Sequence, residues 1–131
     1  MRTGKFFYFT IKGNGFDPLF LAKAVELPCD VFFKDEISTH DLLKKEIKQK
    51  STRWIYKDID QSETKIGGFL TKNLKIIVKK LSILSEYIED KDNEAKIELV
   101  VYSENKTDLV LNKSQIRLIN KIGVGISISF C

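Results

Sequence analysis

The sequence predicts an α+β domain with an antiparallel or mixed sheet of about four to five strands. One long and two short helices pack on one face of this sheet. Three segments predict this class. Residues 5–12 (KFFYFTIK) carry apolar side chains on both strand faces, which is typical of an inner strand. Residues 69–88 show helical periodicity, and residues 124–130 (VGISISF) alternate apolar and polar side chains.

The composition predicts one domain that spans residues 1–131. With 131 residues and a hydrophobic fraction of 43%, the chain is long enough to bury roughly two thirds of its unfolded surface. A second independent core would not fit. We expect no signal peptide and no membrane-spanning stretch, and hence a cytoplasmic protein. Cys29 and Cys131 lack metal-ligand and CxxC spacing, which favours reduced thiols but leaves a disulfide open.

The first helix is predicted to follow the Gly-Asn-Gly turn at residues 13–15. Asp17 can accept hydrogen bonds from the free amides of the first turn, and Pro18 sits where no amide is needed. On this reading the core-facing residues of the helix are Leu19, Ala22 and Val25.

The middle of the chain is harder to interpret. Residues 30–34 contain a short strand, and residues 52–58 (TRWIYKD) form another with Trp54 and Tyr56 on the same face. Local propensity over residues 38–50 favours a helix, with a serine cap and a thin apolar stripe. The sequence leaves open whether this segment is helix or loop.

The C-terminal third predicts a strand over residues 96–103, a short helix and the final strand. Asn112 or Ser114 can cap the helix, and Gly123 can close it in the left-handed conformation. The apolar residues of this helix are Ile116, Leu118, Ile119 and Ile122.

The long helix carries two apolar stripes. The first follows steps of four and three residues and predicts a buried face. The second lies about a quarter turn away, and either a wide buried face or a surface for a protein partner or for self-association explains it. The first stripe comprises Leu70, Leu74, Ile77, Leu81, Leu84 and Ile88, and the second comprises Phe69, Ile76, Ile83 and Tyr87.

Positive charge is concentrated in one segment of a chain whose net charge is +4. Lysines can neutralise phosphates and aromatic rings can stack on bases, so residues 44–57 are a candidate nucleic-acid surface. Against this, the total charge is small, and a strand tryptophan usually packs into a core. The candidate residues are Lys44, Lys45, Lys48, Lys50 and Arg53, with Trp54 and Tyr56 between the basic side chains.

The sequence offers few parts for catalysis. His40 is the only histidine, so neither a Ser-His nor a Cys-His pair has further members. Capping explains Asp17 better than a role as general base does. Neither the Gly-x-Gly at residues 13–15 nor Gly67-Gly68 belongs to a phosphate-binding motif. We therefore predict no enzyme activity, catalytic residue, metal site or cofactor.

Several segments together resemble one known family. They are FYFTIKGNGFDP at 7–18, STRWIYKD at 51–58, the helix after Gly68, IELVVYS at 97–103, and the C-terminal stretch from residue 111. This combination resembles the bacterial domain of unknown function 4279 family over nearly the whole chain. The resemblance implies a first strand, a turn and a short helix begun by Asp-Pro, with no assigned activity and no catalytic residue. Residues 38–50 depart from it, being more helical and more basic.

These observations favour a protein-binding module over an enzyme. The leading hypothesis is a small bacterial binding protein, of the immunity type or an accessory subunit, that uses the polar face of the sheet and the second helix stripe. The alternative is nucleic-acid binding through residues 44–57.

Overall fold

A computed structural model describes residues 4–35, 37–40, 45–48, 51–62, 65–102 and 109–131, with side chains left undescribed in 37–40 and 45–48. The fold is α+β, as predicted. The described elements are β1 (Gly4–Gly13), α1 (Pro18–Val25), β2 (Cys29–Phe32), β3 (Ile37–His40), β4 (Lys45–Lys48), β5 (Thr52–Asp60), α2 (Ile66–Lys79), α3 (Leu81–Glu89), β6 (Glu94–Tyr102), α4 (Lys113–Ile122) and β7 (Gly125–Phe130).

Five strands form one mixed sheet in the order β2-β5-β1-β6-β7. The prediction of an inner first strand is confirmed, because β1 lies at the centre and pairs antiparallel with β5 and β6. β2 pairs antiparallel with β5, and β7 pairs parallel with β6. The hairpin β3-β4 forms a separate two-stranded sheet.

The core lies between one face of the five-stranded sheet and the helices. Alternate residues of β1 point into it, so Phe7, Phe9 and Ile11 are fully buried. Trp54 of β5 is also fully buried, and its ring meets Phe9 edge to face at 6.0 Å. The helices contribute Leu21, Val25, Phe69, Leu70, Leu74, Ile77, Leu84, Ile119 and Ile122.

The prediction of one long and two short helices on one face is wrong in its detail, because the long helix is two helices. Lys80 leaves helical geometry (φ −103°, ψ 8°). Its amide donates to the carbonyl of Ile77, three residues earlier, at 3.0 Å, which closes a tighter turn than that of an α-helix. The bend lets α3 lie against α1. Helices α1 and α2 contact the strands, whereas α4 packs mainly on α2.

The helix predicted within residues 38–50 is wrong wherever the segment is described. β3 and β4 pair antiparallel there, with Ile37 opposite Lys48. Ile37, Thr39 and Ile47 are β-branched and favour extended backbone over helix. Residues 41–44 and 49–50 lie outside the described residues.

Helix α1 starts where predicted but turns a different face to the core. Asp17 accepts hydrogen bonds from the amides of Leu19 at 3.0 Å and Phe20 at 3.3 Å. Its buried residues are Pro18, Leu21 and Val25, at helical spacings of three and four. The prediction that Leu19 faces the core is therefore wrong, since Leu19 is 49% exposed.

Helix α4 resolves the open choice of cap. The Asn112 side chain accepts from the Gln115 amide at 2.8 Å, and the Gln115 side chain accepts from the Asn112 amide at 3.0 Å. Gly123 closes the helix in the left-handed conformation (φ 80°), as predicted. Ile119 and Ile122 are buried, whereas Ile116 is 45% exposed.

Cys29 and Cys131 are both free thiols. Among the described residues, no helix is both long enough and apolar enough to cross a membrane.

Candidate functional site

The predicted nucleic-acid residues are only partly described. Lys44 and Lys50 lie outside the described residues, and Lys45 and Lys48 are known only as backbone in β4. Arg53 lies in β5 on the sheet face that points away from the core, with its guanidinium carbon 4.7 Å from the centre of the Phe32 ring. Arg53 is thus the only one of these cations whose side chain is described, and no cluster of them is seen among the described residues.

The two aromatic residues predicted to stack on bases point into the core instead. Trp54 is fully buried and Tyr56 is 4% exposed. Lys57 forms an ion pair with Asp30 at 3.3 Å. A nucleic-acid surface in this segment would therefore have to work without stacking by these two rings.

The second stripe of the long helix lies mostly against the core. Phe69 is 2% exposed and belongs to the core, so it offers no surface to a partner. Ile76, Ile83 and Tyr87 are partly buried and pack against the core from α2 and α3. Partner binding by these three residues stays a prediction.

Two neighbouring residues of α1 form an exposed apolar pair that was not predicted from the sequence. Leu19 is 49% exposed and Phe20 is 64% exposed, although both are large hydrophobic residues. The Asp17 carboxylate accepts hydrogen bonds from their backbone amides. Pro18, buried beneath them, fixes the direction of the first turn. The spacing of Pro18, Leu21 and Val25 defines the buried face of the helix. That spacing is the sequence signal that places Leu19 and Phe20 outside the buried face.

The residues that lead into α1 contact α3. The ring of Phe16 meets that of Tyr87 edge to face, with centroids 5.9 Å apart. Burial raises the pKa of the Tyr87 hydroxyl, and the carboxylates of Glu86 and Asp17 raise it further. We call Phe16, Leu19, Phe20 and Tyr87 the α1 surface. Its apolar side chains are therefore bordered by acidic groups.

A buried polar network fastens α2 to β5. The Tyr56 hydroxyl donates to the Asn73 side-chain oxygen at 2.6 Å. The Asn73 amide group donates to Asp58 at 3.1 Å and to the Phe69 carbonyl at 3.0 Å. Lys72 forms an ion pair with the same Asp58 oxygen at 3.2 Å. Each buried polar group of this network thus has a partner, and the network sets the position of α2 on the sheet.

This network predicts a loss of stability in alkali. Burial, and then the Asp58 carboxylate, raise the pKa of Tyr56 from 10.0 to about 12. Because the folded-state pKa exceeds the unfolded one, the stabilisation is complete below about pH 10 and is lost as the pH rises to about 12. Its full size is about 2–3 kcal/mol, from the two pKa values.

Denaturant unfolding of the wild type and Tyr56→Phe between about pH 9 and about pH 12 checks this. We expect the wild type to lose about 2 kcal/mol more than the variant over that interval. Parallel curves for the two proteins would show that Tyr56 titrates at the same pH folded and unfolded.

The sheet face opposite the core carries aromatic rings and paired charges. Phe6 stacks on Tyr8 at 6.4 Å and meets Tyr102 edge to face at 5.5 Å. The ion pairs Lys12–Glu94 and Lys96–Glu98 each measure 3.2 Å. This predicted polar face thus combines a small apolar centre with charges that are largely balanced.

No group of three or more His, Cys, Asp or Glu side chains that could hold a metal ion occurs in the part of the chain that the structure describes. Of the candidate residues for chemistry, Asp17 caps α1, and His40 is described only as backbone in β3.

Comparison with known proteins gives one family and no individual relative. Residues 2–130 match the family described as domain of unknown function (DUF4279). No curated protein and no solved structure matches the chain. The match covers nearly the whole chain, as the sequence resemblance implied. The protein therefore belongs to the DUF4279 family of domains of unknown function.

Proposed function

We propose that this chain is a non-catalytic protein-binding module whose partner docks on the α1 surface. The observation that carries the proposal is the exposure of Leu19 and Phe20 side by side on one helix. Single exposed hydrophobic residues are common, but a contiguous apolar patch is typical of an interaction site. An immunity protein or an accessory subunit would use such a surface.

The α1 surface is suited to tight binding because it is already ordered. Covering a large apolar side chain yields about 1.5–3 kcal/mol, and part of that gain is usually lost in ordering the interface. Here the Asp17 cap and the buried Pro18 hold the backbone beneath Leu19 and Phe20. Phe16 and Tyr87 are fixed against each other at the edge of the pair. Little further ordering is needed when a partner binds.

The charges around the α1 surface indicate the chemistry of the partner. Asp17 and Glu86 both lie close enough to Tyr87 to raise the pKa of its hydroxyl. A partner with an apolar pocket for Phe20 and basic side chains facing these carboxylates would complement both features. The same carboxylates repel the phosphates of a nucleic acid.

Nucleic-acid binding through residues 44–57 is the alternative proposal. It depends on Lys44, Lys45, Lys48, Lys50 and Arg53, without stacking by Trp54 or Tyr56. It predicts retention of DNA or RNA that falls steeply with salt.

A photo-crosslinking amino acid in place of Phe20, used in the native cell, tests the proposal, with the same amino acid in place of Ile59 as control. Ile59 is 46% exposed, and it pairs with Phe6 on the face of the sheet opposite the core, whereas α1 packs on the core side. We expect position 20, and not position 59, to crosslink one protein. With that protein purified, Leu19→Ser/Phe20→Ser should raise the dissociation constant at least about 100-fold, because two apolar anchors are lost.

The controls separate binding from folding. Ile59→Ser should leave the dissociation constant within about twofold, and all three substitutions should change stability only slightly because the side chains are exposed. Glu86→Lys should weaken binding more at low salt than at high salt. Equal binding by the Leu19→Ser/Phe20→Ser variant and the wild type would exclude the α1 surface. Salt-sensitive nucleic-acid binding, abolished by reversing the charges of 44–57, would support the alternative instead.

A further inference from the structure

Strand β7 forms one edge of the five-stranded sheet, and in the described parts of the chain it pairs only with β6. Its sequence, GISISF, contains no charged residue and no proline. Natural edge strands usually carry charges, prolines or bulges that prevent pairing with another chain. The other edge strand is protected in this way, since β2 has only four residues, follows Pro28 and carries the ion-paired Asp30.

The hydrogen bonds to β6 show which backbone groups of β7 point outward. The Cys131 amide donates to the Val101 carbonyl at 2.8 Å, so the backbone of residue 131 faces β6. Backbone groups along a strand alternate in direction, and those of Ile126, Ile128 and Phe130 therefore point away from β6. These three residues present a row of donors and acceptors at the sheet edge.

We propose that a second copy of this chain pairs with β7 antiparallel, about a two-fold axis at Ile128. In that register Ile128 lies opposite Ile128 of the other copy, and Ile126 lies opposite Phe130. Every one of these residues is among those whose backbone points outward, so each opposed pair can exchange both N–H···O bonds. The two sheets then join into one continuous sheet.

The side chains match in the same register. Ile126 and Ile128 lie on the core side and pack against the core, and Phe130 follows them at the end of the strand with 47% exposure. Pairing about Ile128 places Ile126 of one copy beside Phe130 of the other and shields that ring. On the opposite face, Ser127 meets Ser129. Apolar groups thus meet apolar groups, and polar groups meet polar groups.

The sequence of β7 itself favours a second copy as the occupant. The strand carries no charge, so the repulsion between two copies of a chain with a net charge of +4 is weakest there. In a second copy, the outward-facing residues 126, 128 and 130 of β7 meet apolar residues of the same strand. A strand from another protein would need a sequence that matches equally well. A six-residue strand buries less area than the 1,200–2,000 Å² or so typical of stable complexes. The dimer should therefore be reversible and concentration-dependent.

Sedimentation equilibrium of the whole chain tests the dimer. The wild type should show a monomer–dimer equilibrium. Ser127→Lys/Ser129→Lys should raise the dimer dissociation constant at least about tenfold, because like charges become opposed across the axis. Both serines are exposed, so the fold should be retained. The matched control Ser82→Lys/Asn120→Lys, at exposed positions on α3 and α4, adds the same charge and should dimerise like the wild type.

Cysteine substitution tests the register. In a background with Cys29→Ala and Cys131→Ala, Ile128→Cys should form a disulfide-linked dimer with oxidised glutathione, since residues 128 would lie about 5.5 Å apart between Cα atoms. Ile126→Cys should not, because the Cα atoms of the two residues 126 would be about 14 Å apart.

Wild-type protein that stays monomeric at millimolar concentration, or a dimer that both lysine variants weaken equally, would overturn the proposal. So would crosslinking at 126 in preference to 128. Leu19→Ser/Phe20→Ser should leave the dimer intact, which separates this result from the test of the α1 surface.

Discussion

Replacing Trp54 with alanine is expected to lower the free energy of unfolding by about 3–5 kcal/mol. The side chain is fully buried at the centre of the core, on the strand next to β1, and its ring packs edge to face on Phe9. Alanine would leave a cavity that these neighbours cannot fill without moving strands that are held on both sides. That loss is a large share of the roughly 5–15 kcal/mol that stabilises a domain. Urea unfolding measures it.

Trp54→Phe is the matched control for this prediction. The indole Nε1 of Trp54 has no hydrogen-bond partner among the described residues. Phenylalanine loses some packing but also removes a buried donor that is costly to leave unpaired. We expect a loss below about 2 kcal/mol. If Trp54→Ala cost less than about 1 kcal/mol, the tryptophan would not be a core residue.

Asn73→Ala is expected to cost about 3–4 kcal/mol, because three buried interactions fail together. The substitution leaves the Tyr56 hydroxyl without its acceptor and removes one donor each from Asp58, which keeps its ion pair with Lys72, and from the Phe69 carbonyl. It also opens a cavity, since Asn73 is fully buried. Denaturant unfolding of the variant measures the loss, and Asn120→Ala, an exposed position on α4, should stay within about 0.5 kcal/mol of the wild type.

A double-mutant cycle with Tyr56→Phe separates the network from the cavity. Once the Tyr56 hydroxyl is absent, Asn73→Ala should cost about 1 kcal/mol or more less than in the wild type. Additive effects of the two substitutions would show that the bond between Tyr56 and Asn73 contributes nothing beyond packing.

The parts of the fold that were predictable from sequence are those in which local pattern and burial agree. Residues 5–12 are apolar on both faces because one face of β1 lines the core, while Phe6 and Tyr8 on the other face form an aromatic cluster with Tyr102. Gly123 adopts the left-handed conformation that its position after an apolar helix predicted. In both cases the local sequence preference and the tertiary packing favour the same backbone conformation.

The errors arose where several local solutions are close in free energy. In residues 38–50, helix-forming lysines compete with β-branched residues, and pairing between β3 and β4 decides the outcome. The stripe through residues 69–88 continues across Lys80 without a Gly or Pro, so no sequence signal marked the bend. The bend places α3 against α1, a contact between segments that are distant in sequence.

The candidate site was only partly predictable for the same reason. Tyr87 and Phe69 belong to the same predicted stripe, but Phe69 is a core residue, and a partner role for Tyr87 stays a prediction. Leu19 was assigned to the core because its apolar character outweighed the phase that Pro18, Leu21 and Val25 set. An exposed apolar residue cannot be distinguished by type from a buried one. Only the position of the helix on the sheet shows the difference.

The two proposed surfaces lie at opposite edges of the sheet. Helix α1 contacts β2 and β5, whereas β7 is at the far edge. A dimer joined through β7 would therefore carry one α1 surface on each side, away from the dimer interface. Such a dimer would bind a multivalent partner more tightly than a single copy would.

The central claim is that a protein partner covers α1, and amide hydrogen exchange of the complex with the partner crosslinked at position 20 tests it most directly. We expect slower exchange in α1 (Pro18–Val25) and at the end of α3 near Tyr87, with the exchange of β7 and of residues 44–57 unchanged. Protection confined to 44–57 or to the opposite sheet face, with α1 exchanging as in the free protein, would contradict the claim.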